Sequence, residues 1–363
     1  MWNNLGNAPA PTVKEVTVIG PGQGESVVVH LGNGEWLVVD SCASSSSRVS
    51  SAPLQYLTSI GVDVSNDVKL IVVSHWDDDH IRGISNLLDA CRSAVFCCST
   101  SFTEREFIKF VEAMSLGGKT TGNGNVSEFN KCLRILADRK QIIRRAFPGR
   151  QLSDKGQPTI KSWSPSDFDD ACFLEYVASY YPADWAAMRR AIPGSPNLTS
   201  VVISIDWEDV SILLGADMET STDIRRGWGA IAAEANRVGF EKGGLVKIPH
   251  HGSEGAHDER MWSQLLHDLP ISIVAPFGKG AIKSRPPQPS DIKRIVDLSS
   301  QTYLTANKKP LLPKKKSAAV ARSLREGGIR LSAGNSAIGM VRMRKAQGSD
   351  WTTDLFGAAV RAK

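Results

Sequence analysis

The sequence predicts an α/β protein built from two stacked layers of β-sheet and helix. Short apolar strands and helical segments alternate along most of its 363 residues, a pattern typical of sheets covered by helices. Clusters rich in histidine and aspartate follow three of the apolar strands, where loops leave the core and meet solvent. No apolar run reaches the roughly 18–20 residues of a membrane span, so we expect a cytoplasmic protein without membrane attachment.

The first half of the chain begins with three short strands. Residues 13–19, 26–31 and 35–39 are rich in valine, and glycine-rich turns separate them. A helix near 52–60 and an apolar strand at 68–73 follow. This order predicts a sheet whose first covering helix lies between its third and fourth strands.

The second half resumes this pattern after two polar, helical segments. These segments, 101–150 and 167–192, are predicted to be insertions at the surface. A hairpin, a helix and two strands are predicted after them, at 199–217, 220–238, 245–250 and 271–277. We expect one domain over residues 1–300 and a basic C-terminal extension over 301–363 that packs on this domain or flanks it.

The net charge of +5 conceals an asymmetry along the chain. Residues 301–363 contain 13 Lys and Arg against 3 Asp and Glu, whereas the first 300 residues contain 30 against 35. The basic residues are concentrated in two runs, Asn307–Lys316 and Val341–Lys345. Such a segment attracts polyanions, nucleic acid first among them. The alternative is a solvated segment that serves solubility.

The segment Ser74–Ile84, SHWDDDHIRGI, carries two histidines and three consecutive aspartates directly after a predicted strand. Carboxylates and imidazoles crowded at such a place repel one another and lose hydration unless a positive charge lies among them. Asp217 follows a second strand, and His250 and His251 follow a third. Imidazoles and carboxylates are the ligands of hydrolytic metal centres, in which the ion acidifies a water molecule. We therefore predict a metal centre shared by the three segments, with Asp217 as the bridge between two ions.

Three motifs in these segments resemble those of a known family. HWDDDH resembles the HxDxDH form of the metallo-β-lactamase superfamily signature, LLGAD its single-aspartate strand, and PHHGS its late histidine. Longer stretches, GPGQGESVVVHLGNGEWLVVDS, NLTSVVISI and IPHHGS, look like the metallo-hydrolase domain of the ComEC DNA-uptake protein and its stand-alone soluble relatives. The resemblance covers about residues 13–290, without the two insertions. It implies an αβ/βα four-layer sandwich with the metal centre at one edge of the two sheets.

The resemblance also implies roles for individual residues. The implied metal ligands form two sets joined by a bridging aspartate: His75 and Asp77, then Asp79, His80 and His251, then Asp217. Asp79 and His250 are expected to be catalytic, His250 either by donating a proton beside the substrate or by supporting a ligand. Asp40, which ends a neighbouring strand, is a candidate for orienting a ligand histidine.

Two departures from the family pattern bear on this centre. No histidine lies between His80 and His250, so the third histidine that many members use is missing. The first site is then weak, occupied only with substrate, or completed by Asn197 or an unidentified carboxylate. An aspartate at position 77 hardens the ligand set, which makes Mn²⁺ and Zn²⁺ equal candidates for one or two ions. Arg285 lies in KSRPPQP, where ComEC-like chains carry His-Pro; it either clamps a phosphate or lies on the surface. Asn197 and Arg285 are the predicted substrate-binding residues.

The favoured function is metal-dependent hydrolysis of a phosphodiester, most of all in nucleic acid, by a metal-activated water. The resemblance to a DNA-processing branch, the aspartate-rich centre and the basic C-terminal segment favour it. Hydrolysis of a small phosphodiester is the first alternative, and hydrolysis of a thioester, lactone or β-lactam is the second. The third is a protein that binds nucleic acid or a partner and has a non-catalytic metal site.

Overall fold

The structure, a computed structural model, describes residues 2–20, 24–43, 51–116, 124–154, 156, 158–179, 196–277, 285–306 and 338–363. The strands of this part are β1 (Lys14–Gly20), β2 (Ser26–Gly32), β3 (Glu35–Val39), β4 (Val68–Val73), β5 (Val95–Ser99), β6 (Arg144–Ala146), β7 (Arg150–Gln151), β8 (Thr159–Ser162), β9 (Ile203–Trp207), β10 (Val210–Leu214), β11 (Gly243–Lys247), β12 (Leu266–Val274), β13 (Gln301–Leu304), β14 (Gly339–Lys345), β15 (Thr352–Gly357) and β16 (Val360–Arg361). The helices are α1 (Ala52–Ser59), α2 (Val64–Asp67), α3 (Asp78–Ile81), α4 (Ile84–Ala90), α5 (Arg105–Leu116), α6 (Gly124–Asp138), α7 (Asp167–Ala178), α8 (Gly227–Val238) and α9 (Pro289–Asp297). Within these ranges, no helix combines the length and the apolar character that crossing a membrane would need.

The strands form two eight-stranded mixed sheets. The first has the order β15-β14-β1-β2-β3-β4-β5-β6 and the second β16-β13-β12-β11-β10-β9-β8-β7. Strands β3, β4, β5 and β6 run parallel, as do β10, β11, β12 and β13, so each sheet has a parallel half covered by helices. The carboxyl ends of the parallel strands supply the loops that carry the predicted metal ligands.

Alternating side chains of each strand serve two different cores. Val27 and Val29 of β2 face the second sheet and pack in a cluster with residues such as Ile205 and Leu245. Val28, between them, points to the other face and packs with the helices of the first sheet. A third cluster lies between the second sheet and its own helices, around Trp228. The order is therefore helix, sheet, sheet, helix, and the predicted four-layer αβ/βα fold class is confirmed.

The described residues after position 300 are strands of these sheets. β13 and β16 lie at one end of the second sheet, and β14 pairs with both β1 and β15 in the first. The basic run Val341–Lys345 belongs to β14, where Arg342 is 6% exposed and pairs with Asp354, and Arg344 pairs with Glu15. These cations thus neutralise acidic neighbours within the sheet. The other basic run, Asn307–Lys316, lies outside the described residues, and the predicted boundary at residue 300 stays a prediction.

The two predicted insertions supply helices to the first layer. Helices α5 and α6 come from the first insertion and α7 from the second, whose remaining residues 180–192 lie outside the described part. Helix α8 begins at Gly227, not at 220 as predicted. Gly227 has φ +54°, and a Cβ there would lie 2.5 Å from the Glu219 carbonyl oxygen, so the chain turns sharply before the helix can start.

Candidate metal centre

The predicted ligands lie together where strands of both sheets end. The loop after β4 carries the HWDDDH motif, and the loops after β10 and β11 carry Asp217 and the histidine pair. β4 belongs to the first sheet, and β10 and β11 belong to the second. Residues more than 130 positions apart in the chain thus meet at one edge of the sandwich, as expected for loops at the carboxyl ends of parallel strands.

Four side chains form what we call the inner position: Asp79, His80, Asp217 and His251. Asp217 Oδ2 lies 3.3 Å from both His80 Nε2 and His251 Nε2. Asp79 Oδ2 lies 3.4 Å from His251 Nε2 and 3.9 Å from His80 Nε2. Both imidazoles and the Asp217 carboxylate are almost completely buried. Two carboxylates and two imidazoles therefore converge around one small volume.

His75 and Asp77 form the adjoining outer position. His75 Nε2 lies 3.8 Å from Asp77 Oδ2, and the ring centroids of His75 and His80 are 4.2 Å apart. His75 is fully buried, whereas the Asp77 side chain is 40% exposed. The outer position therefore has fewer donors than the inner one and opens to solvent through Asp77.

The electrostatics of the inner position favour protonated imidazoles beside ionised carboxylates. Burial disfavours a charged imidazole, but the Asp217 charge and hydrogen bonds to Asp217 and Asp79 outweigh it and raise the pKa of His251 to about 10. His80 behaves alike: Asp217 and Asp40 outweigh burial and raise its pKa well above the usual value. Burial likewise acts against ionised carboxylates, yet these histidines hold the pKa of Asp79 and of Asp217 well below the usual range. A divalent cation would supply the same positive charge and leave both imidazoles neutral, which is the form that binds metals.

The outer pair has the opposite electrostatic character. Burial, with a contribution from His80, lowers the pKa of His75 to about 4, so this imidazole is neutral at pH 7. Desolvation by the surrounding protein and the negative charge of Asp79 raise the pKa of Asp77 to about 7. The outer pair therefore combines a neutral imidazole with a carboxyl group that is protonated more readily than usual.

Several buried polar atoms of the centre have no hydrogen-bond partner. His75 Nε2, His80 Nε2 and Asp217 Oδ1 are among them, and each belongs to a predicted ligand. Buried nitrogen and oxygen atoms are rarely left unpaired, because each loses its hydration without compensation. Imidazole nitrogens and carboxylate oxygens in this arrangement are also the donors that Zn²⁺ and Mn²⁺ accept. The residues present therefore fit a divalent cation.

Groups behind the ligands fix how the imidazoles point. His80 Nδ1 lies 2.8 Å from Asp40 Oδ2, which is the orienting contact predicted for Asp40. Ser74 Oγ donates to Asp40 Oδ2 at 2.6 Å and lies 2.9 Å from His75 Nδ1. His251 Nδ1 donates to the Ala275 carbonyl oxygen at 2.8 Å. Each Nδ1 is thus occupied, and each Nε2 faces the predicted cation. Asp40 lies close to His75 and His80, but its carboxylate already contacts Ser74 and His80 Nδ1. It therefore supports the two imidazoles.

The backbone of the centre is strained. Among the described residues, seven non-glycine residues have positive φ, and four of them lie here: Asp40 (61°), Ala216 (44°), His250 (44°) and His251 (54°). Left-handed backbone is unfavourable for residues with a Cβ and persists where the surroundings enforce it, which is typical of functional sites.

Sequence reasoning missed two charged residues of the centre, Glu25 and Lys247. Lys247, which ends β11, is 1% exposed and forms an ion pair with Glu25. Glu25 follows Gly24, whose φ is +137° and where a Cβ would lie 2.3 Å from the Asp79 carbonyl oxygen. Only glycine allows this approach, through which the Glu25 N–H donates to that same oxygen at 3.1 Å. The sequence signal is GPGQGES, a glycine-rich turn before β2 whose glutamate belongs to none of the three ligand motifs.

His250 and Asn197 lie at the mouth of the centre. His250 Nδ1 lies 3.0 Å from Glu219 Oε1, and Asn197 Nδ2 donates to the same oxygen at 2.9 Å. Asn197 Oδ1 is buried without a partner. Glu219, a further residue that the sequence did not indicate, thus orients both. Arg285 directly precedes Pro286, which lines a groove beside His250, and its predicted phosphate contact stays a prediction.

Comparisons with known proteins find one family model and several solved structures that are similar to this chain. Residues 19–113 match the family model of the Metallo-beta-lactamase superfamily. Among solved structures, the chain is similar to the metallo-beta-lactamase fold protein YhfI from Bacillus subtilis, with 13% identity over 81% of this chain and 95% of that one and a TM-score of 0.42. It is also similar to Rm3 metallo-beta-lactamase, with 14% identity over 73% and 82% of the two chains and a TM-score of 0.36. A third similar structure is the hydrolase AbOPH in the beta lactamase superfamily, with 14% identity over 63% and 83% and a TM-score of 0.36.

The comparison with curated proteins gives no match. The segment matched by the family model extends from the end of β1 into α5 and contains the whole HWDDDH motif. The similarity to the Metallo-beta-lactamase superfamily model thus rests on residues 19–113, which include the HWDDDH motif.

Proposed function

We propose that the chain is a metal-dependent hydrolase of phosphodiesters, with nucleic acid as the expected substrate class. The observation that carries this proposal is that the buried Nε2 atoms of His75 and His80, which have no hydrogen-bond partner, converge with the Asp217 carboxylate at one edge of the sandwich. Six predicted ligands from three segments meet there, and a divalent cation would compensate their desolvation.

The composition of the centre supports phosphodiester chemistry. Three of the six predicted ligands are aspartates, and the sequence has no histidine between His80 and His250 that could add a fourth imidazole. Oxygen-rich sets favour harder cations such as Mn²⁺, which serve phosphoryl transfer, and Zn²⁺ remains the other candidate. The motifs' resemblance to a DNA-processing branch supports the same substrate class.

The ligands, their supporting groups and His250 have different roles in the proposed hydrolysis. One or two divalent cations, held by the inner and outer positions, would polarise a phosphoryl oxygen and acidify a water molecule. Asp40, Ser74 and the Ala275 carbonyl keep the ligand imidazoles oriented, so that no reorganisation is needed during reaction. His250 donates through Nδ1 to Glu219, and its Nε2 has only a long contact of 3.5 Å with Asn197 Nδ2. Nε2 is therefore available to hold the proton that the leaving oxygen needs.

One observation favours a small phosphodiester as the second candidate. The groove beside His250 has a volume of about 330 Å³. Among the described residues, its lining contains the acidic residues Glu254 and Asp291 and no lysine or arginine. A polyanionic strand gains nothing from such a surface, whereas a small substrate with one phosphate needs little more than the cations.

A substrate panel with purified protein tests the proposal. The panel contains single- and double-stranded DNA, RNA and bis-p-nitrophenyl phosphate, each with Mn²⁺ or Zn²⁺, and a thioester, a lactone and a β-lactam as the non-phosphate arms. Cleavage of the polymers supports the nucleic-acid proposal, and turnover of bis-p-nitrophenyl phosphate alone supports the small substrate. Turnover of only the non-phosphate arms, or none at all with salt-sensitive DNA binding retained, would refute phosphodiester hydrolysis.

A further inference from the structure

A lysine lies inside the carboxylate cluster and has no role in the metal centre described above. Lys247 Nζ pairs with Glu25 Oε1, donates to the Ala216 carbonyl oxygen at 2.8 Å and lies 3.7 Å from Asp217 Oδ1. Lys247 and Glu25 are 1% and 2% exposed. A buried lysine is costly unless carboxylates and carbonyls surround it, so its position here requires an explanation.

We infer that Lys247 is a positioning residue of the centre, which fixes Asp217 so that only Oδ2 faces the inner position, with Glu25 as its counter-ion. The inference rests on the proposed metal centre. Asp217 Oδ2 lies 3.3 Å from both ligand imidazoles, whereas Oδ1 has Lys247 as its charged neighbour. The two oxygens of the predicted bridging carboxylate thus face different partners: Oδ2 faces the imidazoles and Oδ1 faces Lys247.

Sheet register makes this contact rigid. Strands β10 and β11 are parallel neighbours, and Leu214 pairs with Lys247. The Gly215 N–H donates to the Lys247 carbonyl oxygen at 3.2 Å, so the chain leading to Asp217 is bonded to the backbone that carries the lysine. The ammonium and the carboxylate are therefore set by the same pair of strands.

Glu25 lies on the Nδ1 side of the ligand imidazoles. Its carboxylate oxygens lie 4.0 Å from His80 Nδ1 and 3.5 Å from His251 Nδ1, away from the Nε2 atoms that face the cation. Glu25 is therefore the counter-ion of Lys247 behind the centre. It is not one of the four residues that form the inner position. Together the pair adds no net charge.

The test compares cation affinity in two charge-neutral double variants. Lys247→Met/Glu25→Gln removes the pair and leaves Asp217 unanchored without changing the net charge. Lys14→Met/Asp209→Asn removes a lysine–carboxylate pair at the opposite end of the strands and is the matched control. Affinity for Mn²⁺ and Zn²⁺ is measured by titration calorimetry on the metal-free full chain, and thermal unfolding is followed in parallel.

We expect Lys247→Met/Glu25→Gln to bind about 10–100-fold more weakly, as is typical when a partner of a ligand is lost, and the control to bind like the wild type. Wild-type affinity in the first variant, with unchanged unfolding, would overturn the inference and leave the proposed function standing. A wild-type chain that binds no cation would overturn both. Should the first variant not fold, the wild-type chain crystallised with Mn²⁺ decides: Asp217 Oδ1 bound to the cation would overturn the inference, and Oδ1 on Lys247 would support it.

Discussion

The inner and outer positions of the centre differ in how completely the protein has built them. The inner position has four ligand side chains, an orienting aspartate behind His80 and the Lys247–Glu25 pair beside Asp217. The outer position has His75 and Asp77, one of which is 40% exposed, and Ser74 as the support. Two adjoining positions of one site thus present very different donor sets.

This difference indicates which position binds a cation tightly and which position exchanges its cation readily. A position with buried, oriented ligands holds its cation tightly, because little reorganisation is needed on binding. A position with few ligands and an open side binds more weakly and leaves room for substrate oxygens. We therefore expect one tightly bound cation and a second whose occupancy increases with substrate.

Removing inner ligands has the largest expected effect. Asp79→Ala/His80→Ala should fold but lose the tight cation, and phosphodiester turnover should fall by more than the 10–100-fold typical of lost supporting contacts. Elemental analysis and bis-p-nitrophenyl phosphate turnover measure both. Asp78→Ala is the matched control, because Asp78 lies in the same motif but pairs with Arg82. Retained turnover in the double variant would contradict the ligand assignment.

The outer position depends on the insertion helices through Trp76. This side chain is 1% exposed, and its ring centroid lies 5.3 Å from that of Phe107 in α5 and 6.4 Å from that of Phe173 in α7. Trp76→Ala should lower the free energy of unfolding by about 3–5 kcal/mol and weaken the second cation most. Phe129→Ala removes packing from the same aromatic cluster through its ring contact with Phe107, and should cost stability alone. Denaturation measures the free energy of unfolding, and calorimetry measures the affinity for the second cation. If both variants lose the same affinity for the second cation, Trp76 does not anchor the outer position.

Substitution of the residues that support the ligand imidazoles should weaken cation binding at one position more than at the other. The expected losses of affinity are smaller than those caused by removing the ligands. Asp40→Asn keeps a side chain that tolerates φ +61° but removes the charge behind His80, and should weaken the tight cation about 10–100-fold. Ser74→Ala removes the hydroxyl beside His75 Nδ1 and should weaken the second cation by up to about tenfold. Calorimetric titration resolves the two events. Because Ser74 Oγ donates to Asp40 Oδ2, Asp40→Asn should also weaken the second cation, but by less. The comparison fails if Ser74→Ala weakens the tight cation as much as Asp40→Asn does.

Proton release distinguishes the positions without any substitution. The raised pKa values of His80 and His251 favour protonated imidazoles, so inner binding should release more protons than outer binding. His75 is already neutral and Asp77, with a pKa of about 7, is half protonated, so outer binding should displace about half a proton. Both affinities rise with pH, the inner one more steeply. Calorimetry in buffers of different ionisation enthalpy counts these protons, and equal counts would remove the distinction.

Much of this centre could be predicted because metal ligands follow strand ends in recognisable motifs. HWDDDH, LLGAD and PHHGS indicated the six predicted ligands, which the structure brings together. Lys247 and Glu219 could not be assigned in this way, since each has meaning only through partners in other segments. The ion pairs of the basic residues of β14 could not be predicted for the same reason, because their acidic partners lie in other strands.

The sequence alone determined the alternation of strands and helices and the kinds of atoms at the strand ends, because periodicity and motif spacing are local properties. The four-layer fold was implied by the resemblance of its motifs to a known family. The tertiary structure decided which oxygen of Asp217 faces the imidazoles, which carboxylates stand behind them and where the buried lysine lies. Those outcomes depend on strand register and on the packing of one sheet against the other. Contacts between residues far apart in the chain are fixed only when the whole sandwich has formed.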